Sequence, residues 1–378
     1  MNRIAFVFIV FVIVSIPIIS CKEAHKMQKP PMTTQGWLYP DNVYDATGEI
    51  TDGRHIDVLK PQYYSLNDDG TLTQITSGHN AYSAANVALV KKYSTQQFVT
   101  ISGETTAINA LATNRSLTSA FLSTMITFLQ SSGFTGIELD FEGFGQWTPQ
   151  QYANYRGLVT TIGNALHAHQ YKLMVDTPAI SDATYQGYYP TWRYDDFNAL
   201  PVDYFVVLSY DYQSDQGAGS PVSPLAWISG ICRWILSKIT DHSKIVIGIP
   251  NYGYTAKVGT YGVSKLTYDQ SKILPGFSTA TRDPSSGELM WTVGDMVSDY
   301  SDSVTLNLKL QAVQKSGISS VSVWHLGGGG FWFPQQTAPT PAPIPQSTDV
   351  TFTQDQIKAI YNALTPDQIE TIRNAVAG

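Results

Sequence analysis

Cysteine and charge are scarce in this chain. Its 378 residues include two cysteines, Cys21 and Cys232, which allow no zinc or redox spacing. Only 14% of residues are charged, the net charge is -7, and the 23 basic residues form no run. The clustered cations that bind phosphate backbones are therefore missing, and nucleic acid is not an expected partner. His55, His167, His169, His242 and His325 share no ligand spacing with carboxylates, so neither a metal nor another cofactor is expected. The glycine run at 327–330 opens no helix and lacks a following Lys and Ser or Thr, which argues against a phosphate loop.

Apolar and aromatic residues are plentiful. A hydrophobic content of 43%, with 22 Tyr and 8 Trp, supports a substantial core and excludes disorder for most of the chain. The length suits one large barrel or two ordinary domains.

Residues 2–20 carry one positive charge, an apolar run and Pro17 before the small Ser20, the pattern of a secretory signal. A membrane anchor is the alternative, since the run approaches a spanning length. Ile18-Ile19-Ser20-Cys21 resembles a bacterial lipoprotein box, which makes Cys21 a candidate for lipidation and membrane attachment. The expected location is secreted or cell-envelope. Residues 22–34 are polar, include Pro30 and Pro31, and read as a tether.

The informative stretch is 136–142, Gly-Ile-Glu-Leu-Asp-Phe-Glu. Strict alternation places Glu138, Asp140 and Glu142 on one face of a strand and Ile137, Leu139 and Phe141 on the other. Helical segments are expected before it (117–130) and after it (149–169), and strands alternating with helices imply a parallel sheet covered on both faces. Three carboxylates in such a strand point into a barrel or sit at a strand end. Charges crowded in that way raise the pKa of at least one carboxyl, which describes a general acid.

The same stretch resembles the signature strand of glycoside hydrolase family 18, the chitinases and endo-N-acetylglucosaminidases, which reads Asp-Gly-x-Asp-x-Asp-x-Glu. Glu142 and Asp140 match its last two acids, whereas Thr135 and Glu138 stand where the first two Asp are expected. Further phrases are similar to the family's. Ser102-Gly103 ends a third strand, Leu208-Ser209-Tyr210-Asp211 matches Met-x-Tyr-Asp, and 248–254 matches Gly-x-Pro-x-Tyr-Gly-Arg with Tyr254 in place of Arg. Trp324 falls where the family keeps a tryptophan as the floor of a sugar subsite, and the aromatic end of the second strand, at Tyr64, resembles the spore and cell-wall branch.

The expected strands are 36–39, 55–66, 98–103, the acidic strand, 171–178, 204–212, 244–254 and 318–326, with helices near 81–92, 224–239 and 306–315. The first connection is too short for a full helix. Their closure is a (β/α)8 TIM barrel over 35–333, with active groups at the C-terminal strand ends. Residues 255–303 are rich in Gly, Ser, Thr and Asp, and the resemblance implies that they are a short insertion forming one cleft wall. A Pro-rich spacer (334–346) and a short helical hairpin (347–378) follow as a C-terminal appendage, and the hairpin is too small for its own core.

The resemblance implies that Glu142, Asp140 and Tyr210 are catalytic. It also implies that Glu138, Asp211, Trp324, Tyr252 and Tyr64 bind or support substrate, although an aromatic or hydroxyl at a barrel strand end is often packing alone. The implied activity is hydrolysis of β-1,4-linked N-acetylglucosamine polymers by a monomer. Chitin, peptidoglycan strands and N-glycan cores stay open as substrates. A lectin-like binding protein and a structural lipoprotein on the same barrel are the competing classes.

Overall fold

In the computed structural model, residues 32–52, 56–260 and 263–328 are described. The signal segment, Cys21, most of the tether, the Pro-rich spacer and the helical hairpin lie outside them.

Eight parallel strands close on themselves. They are β1 (Thr33–Leu38), β2 (Val58–Leu66), β3 (Gln96–Gly103), β4 (Gly136–Phe141), β5 (Lys172–Thr177), β6 (Tyr204–Leu208), β7 (Ile245–Pro250) and β8 (Ser320–Trp324). Each pairs with the next in sequence, and β1 pairs with both β2 and β8, which seals the ring. The (β/α)8 barrel is thus present. A short strand, Leu72–Gln74, adds an antiparallel edge to β2.

Several of the helices start on side-chain caps. Helix α1 (Thr47–Thr51) is the only helix among the described residues of the first connection, and α2 (Ala84–Tyr93) starts on Ser83. After α3 (Thr105–Thr113), helix α4 (Arg115–Ser132) is capped by the Asn114 side chain and ends on Gly133 at φ 67°, a left-handed position that glycine reaches without penalty. Helix α5 (Pro149–Ala168) opens with a capping box between Thr148 and Gln151 and has proline in its first turn. α6 (Tyr212–Gln216), α7 (Leu225–Leu236), α8 (Tyr268–Ile273) and α9 (Ser303–Lys315) complete the α-helices among the described residues.

Several expected strands run shorter or start elsewhere. β1 begins at Thr33, inside the expected tether, because its first residues pair with Ser320 and Val321 of β8. The expected strand 204–212 ends at Leu208, since Asp211 takes φ 65° and Tyr212 starts α6. The expected strand 244–254 is two strands belonging to different sheets. After β7, Gly253–Lys257 enters a five-stranded antiparallel sheet with Val263–Leu266, Met296–Tyr300, Leu289–Val293 and Thr281–Arg282. The insertion is therefore an ordered small sheet between β7 and β8, built from strands of two to five residues.

Alternation along the barrel strands divides two cores. Ile137, Leu139 and Phe141 face outward into the main core under the helices. Inside, Val58, Phe98, Met174, Val206 and Val246 form an apolar plug toward the N-terminal end, and Trp37 of the same cluster reaches Trp324 at the mouth. One layer nearer the C-terminal ends the interior turns polar, with Lys60, Thr100, Glu138 and Asp176 all 0–1% exposed.

Candidate active site

Register delivers the acids to one place. β3 pairs with β4 so that Thr100 lies beside Glu138 and Ser102 beside Asp140. Gly136 permits the close approach of β4 to β5, because a Cβ there would sit 2.1 Å from the Lys172 carbonyl oxygen. Asp140 is 7% exposed, whereas Glu142, just past the strand, opens to solvent and is anchored by its N–H, which donates to the Gly103 carbonyl at 2.9 Å.

Glu142 separates two depressions at the barrel mouth. One, of about 220 Å³, is lined by Glu142, Tyr189, Tyr210, Asp211 and Asp215 among others. The other, of about 160 Å³, is lined by Ser102, Glu104, Asp140 and Glu142 with neighbouring residues. A glycan lying across both would carry one of its linkages past Glu142. A wider groove of about 520 Å³ lies between α7 and α9, away from the acids, and has no carboxylate on its walls.

Although solvent touches Glu142, the cleft walls desolvate it. That partial burial, followed by repulsion from Glu104 and Asp211, raises its pKa to about 6. Burial and then the charges of Glu142 and Glu138 push Asp140 well above the usual carboxylate range. The pair shares hydrogen-bonding contact, so its protons titrate together.

The aromatic side of the site is equally ordered. Trp324 is half-buried, stacks with Tyr210 at 6.5 Å between ring centroids, and meets Trp37 edge-on at 5.5 Å. Asp211, in its left-handed conformation, accepts hydrogen bonds from the hydroxyls of Tyr252 and Tyr254, the latter at 2.8 Å. A non-glycine residue at positive φ stores strain, and these two hydroxyls hold it there. Tyr254, which stands in the family's Arg position, thus works as a buried support for Asp211. The cation nearby comes from the paired insertion strand, where Lys265 lies opposite Tyr254. Its ammonium stands 4.7 Å from the Tyr252 ring centroid and 6.0 Å from that of Trp324.

Glu142, Asp140, Tyr210, Asp211, Tyr252 and Trp324 therefore meet at one mouth. Two expected substrate contacts do not belong there. Tyr64 faces the helices, packed edge-on against Phe128 of α4, and its hydroxyl accepts from Gln74 at 2.7 Å. A register shift between Gln62 and Tyr64 turns it outward. Glu138 is fully buried below the mouth and accepts from Lys60 Nζ at 2.6 Å, Trp37 Nε1 at 2.9 Å and Thr100 Oγ1 at 2.5 Å. It supports the site from within and cannot touch a glycan.

Sequence reasoning passed over Lys60, Asp176, Trp37 and Lys265. Lys60 had a usable signal, since an ionisable residue at the same parity as Val58 and Gln62 in an apolar strand points inward. Its ammonium also sits 3.2 Å above the Trp37 ring centroid, an additional stabilising contact for a buried cation.

Comparison with known proteins identifies the family. The sequence pattern of glycosyl hydrolases family 18 matches residues 42–329. The chain is 26% identical over 235 residues to the uncharacterized glycosylase YvbX of Bacillus subtilis, a match covering 58% of this chain and 65% of that relative's length. The fold is similar to that of a class V chitinase from Pseudomonas fluorescens Pf-5 (TM-score 0.66, 22% identity, 80% of this chain and 97% of that one). It is also similar to the spore cortex-lytic enzyme SleL of Bacillus cereus (TM-score 0.66, 15% identity, 79% and 72%). Because the family pattern spans well over half of its length, the chain belongs to glycosyl hydrolase family 18.

Proposed function

We propose that this glycoside hydrolase cleaves β-1,4-linked N-acetylglucosamine glycans, chitin or chitooligosaccharides, by substrate-assisted retaining hydrolysis outside the cytoplasm. The observation that carries the reading is the unequal acid pair, with Glu142 solvent-accessible at a pKa of about 6 and Asp140 buried behind it. One acid can deliver a proton near neutral pH while the other stays out of reach of the anomeric carbon.

Protonated Glu142 gives its proton to the glycosidic oxygen as the bond from that oxygen to the anomeric carbon breaks. The carbonyl oxygen of the sugar's own 2-acetamido group forms the new bond to that carbon, giving an oxazolinium ion. Asp140 accepts the acetamido N–H and stabilises the positive charge. The Tyr210 hydroxyl donates to the acetamido oxygen, and Trp324 stacks beneath the ring. Water then attacks the anomeric carbon, breaking its bond to the acetamido oxygen and passing a proton to Glu142, so configuration is retained. The export part of the proposal rests on the signal-like pattern at 2–20.

A second reading, peptidoglycan strands, draws on Lys265. An ammonium beside the aromatic floor supports that reading, because muramyl residues carry a carboxylate.

The mechanism predicts turnover of chitobiosides and none of cellobiosides, which share the linkage but lack the acetamide. Proton NMR of the first product should show the β anomer. Cellobioside turnover, or an α product, would contradict substrate assistance. Faster cleavage of purified peptidoglycan strands than of chitohexaose would move the substrate to the second reading.

A further inference from the structure

The interior beneath the cleft holds more carboxyls than cations. Glu138 is met by three donors, Lys60 among them at 2.6 Å. Asp176, on the neighbouring strand and 1% exposed, is met by none, since neither of its oxygens faces an N–H or O–H donor. Register explains where it stands. Leu139 of β4 pairs with Val175 of β5, so the next residues along, Asp140 and Asp176, lie side by side on the inward face. Asp176 therefore faces the carboxyls of Asp140 and Glu138, whose charges act on it.

Two buried carboxyl groups can face each other stably only with a proton between them. The surroundings offer no other remedy. The charged and titratable groups facing Asp176 are Glu138 and Asp140 from β4, Lys60 from β2, Tyr210 beyond β6 and Tyr155 from α5. Lys60 is committed to Glu138.

We propose that Asp176 is a positioning residue for hydrolysis: as a neutral carboxylic acid it donates its proton in a hydrogen bond to Asp140, holding one Asp140 oxygen inward and leaving the other to the cleft. Asp140 then serves as an acceptor of fixed orientation under Glu142. The proposal rests on the reading of Asp140 and Glu142 as the working pair. Burial first, then Glu138 and Asp140, raise the Asp176 pKa well above its ordinary value, which keeps the proton in place. The linkage has a definite sign. A carboxyl that holds its proton in the folded state and releases it in the unfolded state stabilises the fold least at high pH, so its contribution falls as pH rises from the unfolded pKa toward the folded one.

The test uses the whole chain with Asp176→Asn and Asp176→Leu, read by kcat and KM across pH and by thermal unfolding at pH 5 and pH 8. Leu removes the donor, and kcat should fall roughly 10–100-fold with KM little changed, the range for losing a hydrogen bond to a charged group. Asn keeps an N–H donor and should recover most of that loss. The melting temperature of the Asn variant relative to wild type should rise between pH 5 and pH 8, because the amide has no proton to retain. The proposal is overturned by a Leu variant with an unchanged pH profile, by an Asn variant as impaired as Leu, or by a melting difference independent of pH. Should Leu fail to fold, the Asn variant decides alone. Wild type that turns over no acetamido glycan would contradict the substrate reading instead, and the melting comparison would still decide Asp176.

Discussion

Glu142 and Asp140 lie two residues apart on one strand face, yet the fold gives them opposite surroundings. Asp140 is enclosed by the barrel and Glu142 leans into the cleft. An acid catalyst works while protonated, so kcat/KM should be level below the Glu142 pKa of about 6 and fall tenfold per pH unit above it. A pH–rate profile with no basic limb between pH 5 and pH 8 would contradict that role. Both acids were legible in the sequence, because period-2 alternation needs only one strand to interpret. Tyr64 was misread for a complementary reason. Lys60, Gln62 and Tyr64 share parity on paper, and the bulge between Gln62 and Tyr64 breaks it. Asp176 was illegible as a site residue because its meaning comes from the strand beside it, and register between strands is a tertiary property.

At the scale of elements, the site depends on how closely neighbouring strands approach. β4 and β5 meet at Gly136, where a side chain would collide with the Lys172 backbone. Gly136→Ala should force the strands apart and destabilise the fold by about 1–3 kcal/mol or more, the cost of overpacking a tight contact. Urea denaturation measures it, and an unchanged midpoint would show that the strands have slack. The strand and helix alternation was readable because apolar strands and capped helices carry strong local patterns. The small insertion sheet was not, since strands of two to five residues rich in Ser, Thr and Lys lack a sustained apolar period. Its contribution to the cleft, Lys265 opposite Tyr254, was hidden with it.

For the whole molecule, the barrel sets an apolar plug at one end, a buried polar layer in the middle and an acidic, aromatic mouth at the other. That gradient concentrates desolvated charge where strands end and loops begin, so the chemistry belongs at the C-terminal face. The central claim is that Glu142 is the acid of an acetamido-glycan hydrolase. Its most direct test is release of 4-methylumbelliferone from the N,N'-diacetylchitobioside by wild type and by Glu142→Gln, with circular dichroism confirming that both are folded. Wild type should turn over steadily and the variant should lose roughly 10²–10⁴-fold. Equal turnover by both proteins would contradict the central claim.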